Sequence, residues 1–289
     1  MKEKKTISTV IPTFNRKLFL EKAIKSSLTQ TINHEIIVCN HGGSDGTDEM
    51  IKQYEGKIKY IKKTTDNGPH YCWLDGVMEA NGEYINLLYD DDWLESNYLE
   101  ECMKYFHDPQ VGFVFTPAKI YDDKNKTSRK VYSYDYLSKD GIYNIKRYET
   151  NLLYKLISPT SFIMRKEDML DALYCGKLPF AKNSYKGVGP DRFMILLCLL
   201  RYQKFAFVNK PLVYFREHLN SITIDSSKDK IKKEMIKKAY DEVDEYYYTI
   251  KYGKFFSFFH NIYIFRFRYF IKNPRLSLKK IISKILNNL

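Results

Sequence analysis

Asp90-Asp91-Asp92 sets three carboxylates side by side, and a divalent cation relieves the repulsion among them. Mg²⁺ or Mn²⁺ takes such oxygen ligands and shares them with a substrate's phosphates. The same triplet also reads as an acidic turn capping the helix that follows. A second cluster, Asn40-His41-Gly42-Gly43-Ser44-Asp45-Gly46-Thr47, lets the backbone approach an anion at a helix start. It is neither a P-loop nor a G-x-G-x-x-G turn, and a plain turn with Asp45 or Thr47 as cap explains it almost as well. Pro190-Asp191 opens an apolar segment, so Asp191 is a general base or a helix cap. His218 stands alone as a metal ligand or a structural histidine. Trp73 and Trp93 have two readings as well, sugar platforms or core.

The elements that must position these residues alternate along the first hundred positions. Strands are expected at Thr6–Ile11, Glu35–Cys39, Ile58–Ile61 and Glu83–Leu88. Helices are expected at Leu18–Leu28, Thr47–Tyr54, Tyr71–Ala80 and from Ser96 to Phe106. That alternation predicts an α/β fold, a mostly parallel central sheet with helices on both faces. Ligands bind beyond the carboxyl ends of such strands, and Pro12–Arg16, Asn40–Asp45 and Asp90–Asp92 all fall there. Further on, Val111–Thr116 and Ser158–Arg165 read as strands, Lys119–Tyr136 as an irregular hairpin and Lys166–Tyr174 as a short helix. A helix from Pro190 to Leu200 precedes short strands at Phe205–Val208 and Leu212–Phe215. Lys228–Tyr248 and Ser277–Leu289 are helical in pattern. Polar composition near Asp225–Lys230 puts a boundary there, between a domain at 1–225 and a basic, aromatic helical tail at 226–289.

Charge separates the same two parts. Of the net +12, residues 246–289 contribute nine Lys or Arg and no acid, which leaves 38 basic against 35 acidic residues before them. The body is close to neutral, so nucleic acid is not the expected partner. Five cysteines without a C-x-x-C pair suggest neither a zinc knuckle nor a disulfide framework. The start carries no apolar leader run, and the apolar stretch Phe255–Ile271 is broken by His260, Asn261, Arg266 and Arg268, a poor membrane span. The expectation is a cytoplasmic protein, peripheral on the inner face of the cell membrane if its tail binds there.

Several segments occur together in order. They are Thr9-Val10-Ile11-Pro12-Thr13-Phe14-Asn15-Arg16, Gln30-Thr31, Glu35-Ile36-Ile37-Val38, Gly42–Thr47, Gly82-Glu83-Tyr84-Ile85 and Asp90–Leu94. In combination they resemble glycosyltransferase family 2, inverting enzymes with a GT-A fold, strongly over 5–115 and more loosely to about 225. The resemblance implies a nucleotide-sugar-binding half at 1–115 and an acceptor half at 116–225. Pro12 and Thr13 match residues lining the nucleobase and ribose pocket, and Phe14 and Arg16 are taken with them as donor-binding. Asn40 and His41 stand where the family usually has two acids, and Asp66 and Gly68 occupy a segment that often contacts the donor. Cys72 and Leu74 replace a small residue and an Asn. The triplet matches the metal-binding D-x-D region, with Tyr89 where an acid often opens it. Asp91 and Asp92 are then assigned to metal and diphosphate, Asp90 and Asp91 to the donor, and His218 to the metal. Asp191 matches the base of an acidic pair whose first member is here Pro190.

The resemblance thus implies a metal-dependent (Mn²⁺ or Mg²⁺), inverting, hexosyltransferase-like enzyme of polysaccharide biosynthesis. Its donor is a nucleotide-sugar, UDP by default, and its acceptor a hydroxyl of a growing cell-surface glycan, free or lipid-linked. The alternative is a non-catalytic sugar-nucleotide-binding or membrane-associated scaffold with a decayed site. The tail also has two readings. Leu278, Ile281, Ile282, Ile285, Leu286 and Leu289 follow helical spacing opposite Lys279, Lys280 and Lys284, which suits an anionic membrane surface contacted through 253–289. The same stripe suits packing on protein, including a homo-oligomer through the C-terminal helices.

Overall fold

The computed structural model describes residues 6–173, 188–218 and 230–272, the last stretch with side chains through Gly253. The chain divides into two compact units between Val243 and Asp244. The first is built on an eight-stranded sheet whose order is β3-β2-β1-β4-β10-β6-β11-β9. Its founding strands are β1 (Ile7–Thr13), β2 (Glu35–His41), β3 (Lys59–Lys63) and β4 (Tyr84–Leu87), all mutually parallel. β1 and β4 are buried at every residue and β2 at all but its first. Strands covered on both faces by helices become such continuous apolar runs.

The far half of the sheet holds β6 (Val111–Phe115), β9 (Gly141–Asn144), β10 (Phe162–Arg165) and β11 (Lys204–Phe207). Here β10 runs antiparallel between β4 and β6, β11 is parallel to β6, and β9 is antiparallel to β11. A second, four-stranded sheet has the order β5-β12-β7-β8, made from β5 (Trp93–Leu94), β7 (Ala118–Asp122), β8 (Thr127–Tyr132) and β12 (Val213–Glu217). The expected α/β architecture is present. The second sheet, β9 and the helix α5 (Ile145–Tyr154) are additions to it. The strand expected from Ser158 begins only at Phe162, because Pro159-Thr160-Ser161 winds into a 3₁₀ turn.

Helices α1 (Lys17–Leu28), α2 (Thr47–Ile51), α3 (Pro69–Met78) and α4 (Tyr98–Met103) connect the first strands, and α6 (Lys166–Leu173) and α7 (Pro190–Arg201) follow β10. α3 carries Pro at its first position, where the missing N–H costs nothing. It lies close against β1 through Gly76, where a Cβ would stand 2.4 Å from Val10 Cγ1. The last helix, α8 (Lys230–Lys272), is broken at Gly253, whose φ of 76° lies in the left-handed region. Among the described residues no helix is long and apolar enough to cross a membrane. The helix expected over Ser277–Leu289 lies outside the described residues, as does Cys175.

Candidate active site

The strand order turns at β1, with β2 and β3 on one side and β4 on the other. In open α/β sheets the crevice beyond the carboxyl ends of such strands receives the ligand. Thr13 ends β1, and Asp90 lies three residues past β4. Across this crevice Thr13 Oγ1 donates to Asp90 Oδ2 at 2.8 Å. Arg16 reaches over from the same loop, its guanidinium 3.2 Å from Asp90 Oδ1 and 3.0 Å from Asp91 Oδ2. Asn15, between them, has φ 54°, a left-handed conformation that Asn tolerates. Its Oδ1 accepts from the Ser44 amide at 2.7 Å, which ties this loop to the glycine-rich turn.

From the other side, the second sheet supplies Arg216 and His218. β5 pairs with β12 immediately after the triplet, placing Tyr214 opposite Trp93. The Arg216 amide donates to Asp92 Oδ1 at 3.1 Å and its Nε donates to the Asp91 carbonyl at 2.9 Å, while its guanidinium also meets Asp123. His218 Nε2 lies 3.1 Å from Asp91 Oδ2. Thus Thr13, Arg16, Asp90, Asp91, Asp92 and His218 come together as one cluster.

The three carboxylates are not equivalent. Burial and then the Asp91 charge push Asp90 up to about 7, and the same two causes hold Asp92 well above the usual carboxylate range. Burial opposes the charge on Asp91 as well, but the hydrogen bond with His218 and the charge of Arg16 outweigh it and leave that carboxyl below its ordinary value. Asp91 is the firm anion of the three, and its side chain is 16% exposed against 7% for Asp90. Two neighbouring donors at roughly 2.1 Å from an octahedral ion stand about 3.0 Å apart. The 3.1 Å between Asp91 Oδ2 and His218 Nε2 fits that requirement, and the carboxylate oxygen suits Mn²⁺ or Mg²⁺. Asp92 already uses Oδ1 on Arg216, so it braces the loop from β12 in this arrangement.

Asp191 opens α7 beside Gly189, whose φ is 107°. Its Oδ1 accepts from the amides of Gly189 at 2.9 Å and Arg192 at 2.8 Å, and its Oδ2 accepts from the Tyr240 hydroxyl at 3.0 Å. Burial lifts the Asp191 carboxyl above its ordinary value in spite of these donors. Tyr89, stacked on Trp73 at 5.4 Å, feels the charges of Asp191, Asp92 and Asp91 together. Burial, then those charges, hold its phenol well above its usual range. The triplet and Asp191 are therefore both near this one phenol.

The other expected donor residues differ in exposure. Phe14 is 43% exposed, whereas Pro12 is buried. Asn40 is buried, its amide donating to the Tyr60 hydroxyl and its oxygen accepting from the Gly43 amide. His41 is 1% exposed and directs Nε2 to Asp75 Oδ2 at 3.0 Å. Asp66 is exposed and accepts from the Gly68 amide at 2.8 Å. Its segment abuts the glycine-rich turn, since a Cβ on Gly42 would meet Thr64 O at 3.1 Å. Trp93 is core, stacked on Tyr214 at 4.7 Å, with Lys22 Nζ 3.2 Å from its ring centroid. Tyr240 and Asp75 carried no sequence signal, because each acts on a partner 49 or 34 positions away.

Residues 8–171 match the family model described as Glycosyl transferase family 2. Over 140 residues the chain is 32% identical to the GalNAc(5)-diNAcBac-PP-undecaprenol beta-1,3-glucosyltransferase of Campylobacter jejuni, covering 47% of this chain and 44% of that one. The first curated relatives it matches are all longer, and the matched part spans less than two thirds of each. Among solved structures, Staphylococcus aureus TarS 1–349 in complex with UDP-GlcNAc superposes with a TM-score of 0.60 at 15% identity, covering 86% of this chain and 76% of that one. The mannosyltransferase PcManGT from Pyrobaculum calidifontis, in complex with GDP-Man and Mn²⁺, gives 0.52 at 16% identity, covering 80% and 61%. At these identities the structural likeness speaks for the fold.

Proposed function

The chain belongs to glycosyltransferase family 2, and from that premise we propose that it is an inverting, metal-dependent transferase. It moves a sugar from a nucleotide-sugar, UDP by default, to a hydroxyl of a cell-surface glycan, free or lipid-linked. The observation that carries this reading is the meeting of Asp91, His218 and Arg16 in the crevice between β1 and β4. A glycan acceptor on a lipid carrier accords with the activity named for the Campylobacter relative.

In this reading Thr13, Phe14 and Arg16 face the donor from the end of β1. Pro12, Asn40 and His41 form the floor under its nucleoside, and Asp66 and Gly68 stand at the rim. Asp91 and His218 hold the cation, with Asp92 bracing the loop and Asp90 bound to Thr13 and Arg16 on the donor side. A divalent cation bound there supplies neutralisation of the departing nucleoside diphosphate. Arg16 adds a fixed positive charge at the same place. Asp191 accepts the proton of the acceptor hydroxyl while that oxygen attacks the anomeric carbon. The bond to the diphosphate breaks on the opposite face, so the configuration inverts and no covalent enzyme intermediate forms. The amides of Gly189 and Arg192 and the hydroxyl of Tyr240 fix the carboxylate for this role.

The test is a pair of variants in a donor-turnover assay. Asp91→Ala is expected to abolish metal-dependent transfer, whereas Asp191→Asn is expected to keep donor binding and lose transfer. Full transfer in either variant would overturn the role given to that residue.

A further inference from the structure

Next to the glycine-rich turn two buried thiols, to which the transfer reading gives no role, meet the ring of His41 from below the donor's nucleoside. Cys39 and His41 alternate with Asn40 along β2, so they share one face of the strand. α3 brings Cys72 to that face and, one turn on, Asp75. All of Cys39, His41 and Cys72 are buried, and one ligand atom from each lies within 4.8 Å of the other two. His41 gives Nε2 to Asp75 at 3.0 Å, while its buried Nδ1 has no hydrogen-bond partner. An orphaned imidazole nitrogen in the interior is unfavourable, and in metal sites the ring's second nitrogen is commonly held by a carboxylate.

We infer that Cys39, His41 and Cys72 bind a thiophilic divalent cation of the zinc class, with Asp75 orienting the imidazole. Binding exchanges two protons for the ion: each thiol gives up its hydrogen to solvent, and no electron changes hands. The Cys72 hydrogen is the one now given to the Cys39 carbonyl at 3.1 Å. A doubly charged ion with two thiolates and a neutral imidazole has no net charge, which suits a buried position. Three protein donors leave one position of a tetrahedron for a further ligand. Thiolates and imidazole select this ion, whereas the oxygens at Asp91 select Mg²⁺ or Mn²⁺. The two sites differ in chemistry, and the second clamps β2 to α3 whether or not the transfer mechanism is correct. A Cys-spacing search misses it, since 33 positions separate the two thiols.

The experiment uses the whole protein, purified without chelator, assayed for metal content, then stripped and reloaded with Co²⁺. One equivalent of zinc is expected. Cobalt should give a thiolate-to-metal charge-transfer band and visible bands of tetrahedral intensity that excess Mn²⁺ does not remove. Cys72→Ser and Cys39→Ser should each lose the sulfur band in its wild-type form, and Asp75→Asn should keep it with affinity lowered roughly 10- to 100-fold. Asp91→Asn should leave the band intact, which separates this site from the transfer centre. Should the cysteine variants fail to fold, the wild-type spectrum decides alone, because that band requires a thiolate ligand. A folded wild-type protein that holds no zinc and gives cobalt no sulfur band overturns the proposal, and so does a band unchanged in Cys72→Ser.

Discussion

Tyr240→Phe removes a single oxygen from the molecule, and that oxygen donates to Asp191 Oδ2 at 3.0 Å. Burial and then the Asp191 charge push the Tyr240 phenol far above its usual range, so it stays a donor across the working pH. A hydrogen bond to a charged, buried group contributes about 1.5–3 kcal/mol, and about 1.4 kcal/mol corresponds to one pH unit of carboxyl titration. The Asp191 carboxyl, which burial already lifts, should therefore rise by roughly one to two further units in the variant. A folded-state pKa above the unfolded one makes stability fall as pH rises through the interval between them. Tyr240→Phe steepens that fall: its loss of stability is largest where Asp191 is ionised and fades once acid protonates it. Urea unfolding of both proteins across pH 4 to 8 reads this, ~2 kcal/mol displacing the midpoint by roughly 0.7 M at an m of about 3 kcal/mol/M. With transfer as the readout, the acid limb of kcat/KM should move to higher pH by the same one to two units. A loss of stability that is equal at every pH, with an unmoved acid limb, would reduce Tyr240 to packing and refute the reasoning.

Gly76→Ala should destabilise by about 1–3 kcal/mol in urea, since its Cβ would fall 2.4 Å from Val10 Cγ1 between α3 and β1; an unchanged midpoint would contradict the close approach. Asp191→Asn should lower kcat by roughly 10²- to 10⁴-fold, the range of a lost general base, with nucleotide affinity unchanged by calorimetry. Vesicle sedimentation addresses the tail. Replacing Lys279, Lys280 and Lys284 by Gln should weaken binding to anionic vesicles by about 1 kcal/mol per lysine and leave neutral vesicles unaffected. Equal binding by the variant would favour the protein-packing reading.

The parallel half of the sheet was legible because β1, β2 and β4 are continuous apolar runs ended by polar clusters, and burial on both faces leaves that pattern in any sequence. In the second sheet the hairpin β7-β8 and the strand β12 were expected, but not β5 or the assembly, because β5 is two residues long and exists through pairing with β12, about 120 positions later. α5 does carry a local signal: Asn144 caps it by accepting from the Arg147 amide, and its apolar residues follow helical spacing. In the site, Asp90–Asp92, Asp191 and His218 were visible as residue types at strand and helix ends. Their division of labour was not, since it arises from burial and from partners that the fold brings in from distant positions. Arg16 and His218 single out Asp91, and the Arg216 amide occupies Asp92. The contacts of Tyr240 with Asp191 and of His41 with Asp75 join distant segments and leave no periodic trace.

The central claim is that a nucleotide-sugar and a divalent cation meet at Asp91. It is tested most directly by thermal shift with UDP, GDP, CDP and dTDP, each with and without Mn²⁺, on the wild type and Asp91→Asn. The account predicts stabilisation by one nucleotide that requires Mn²⁺ and disappears in the variant. The same stabilisation in Asp91→Asn, or none by any nucleotide in the wild type, would contradict it.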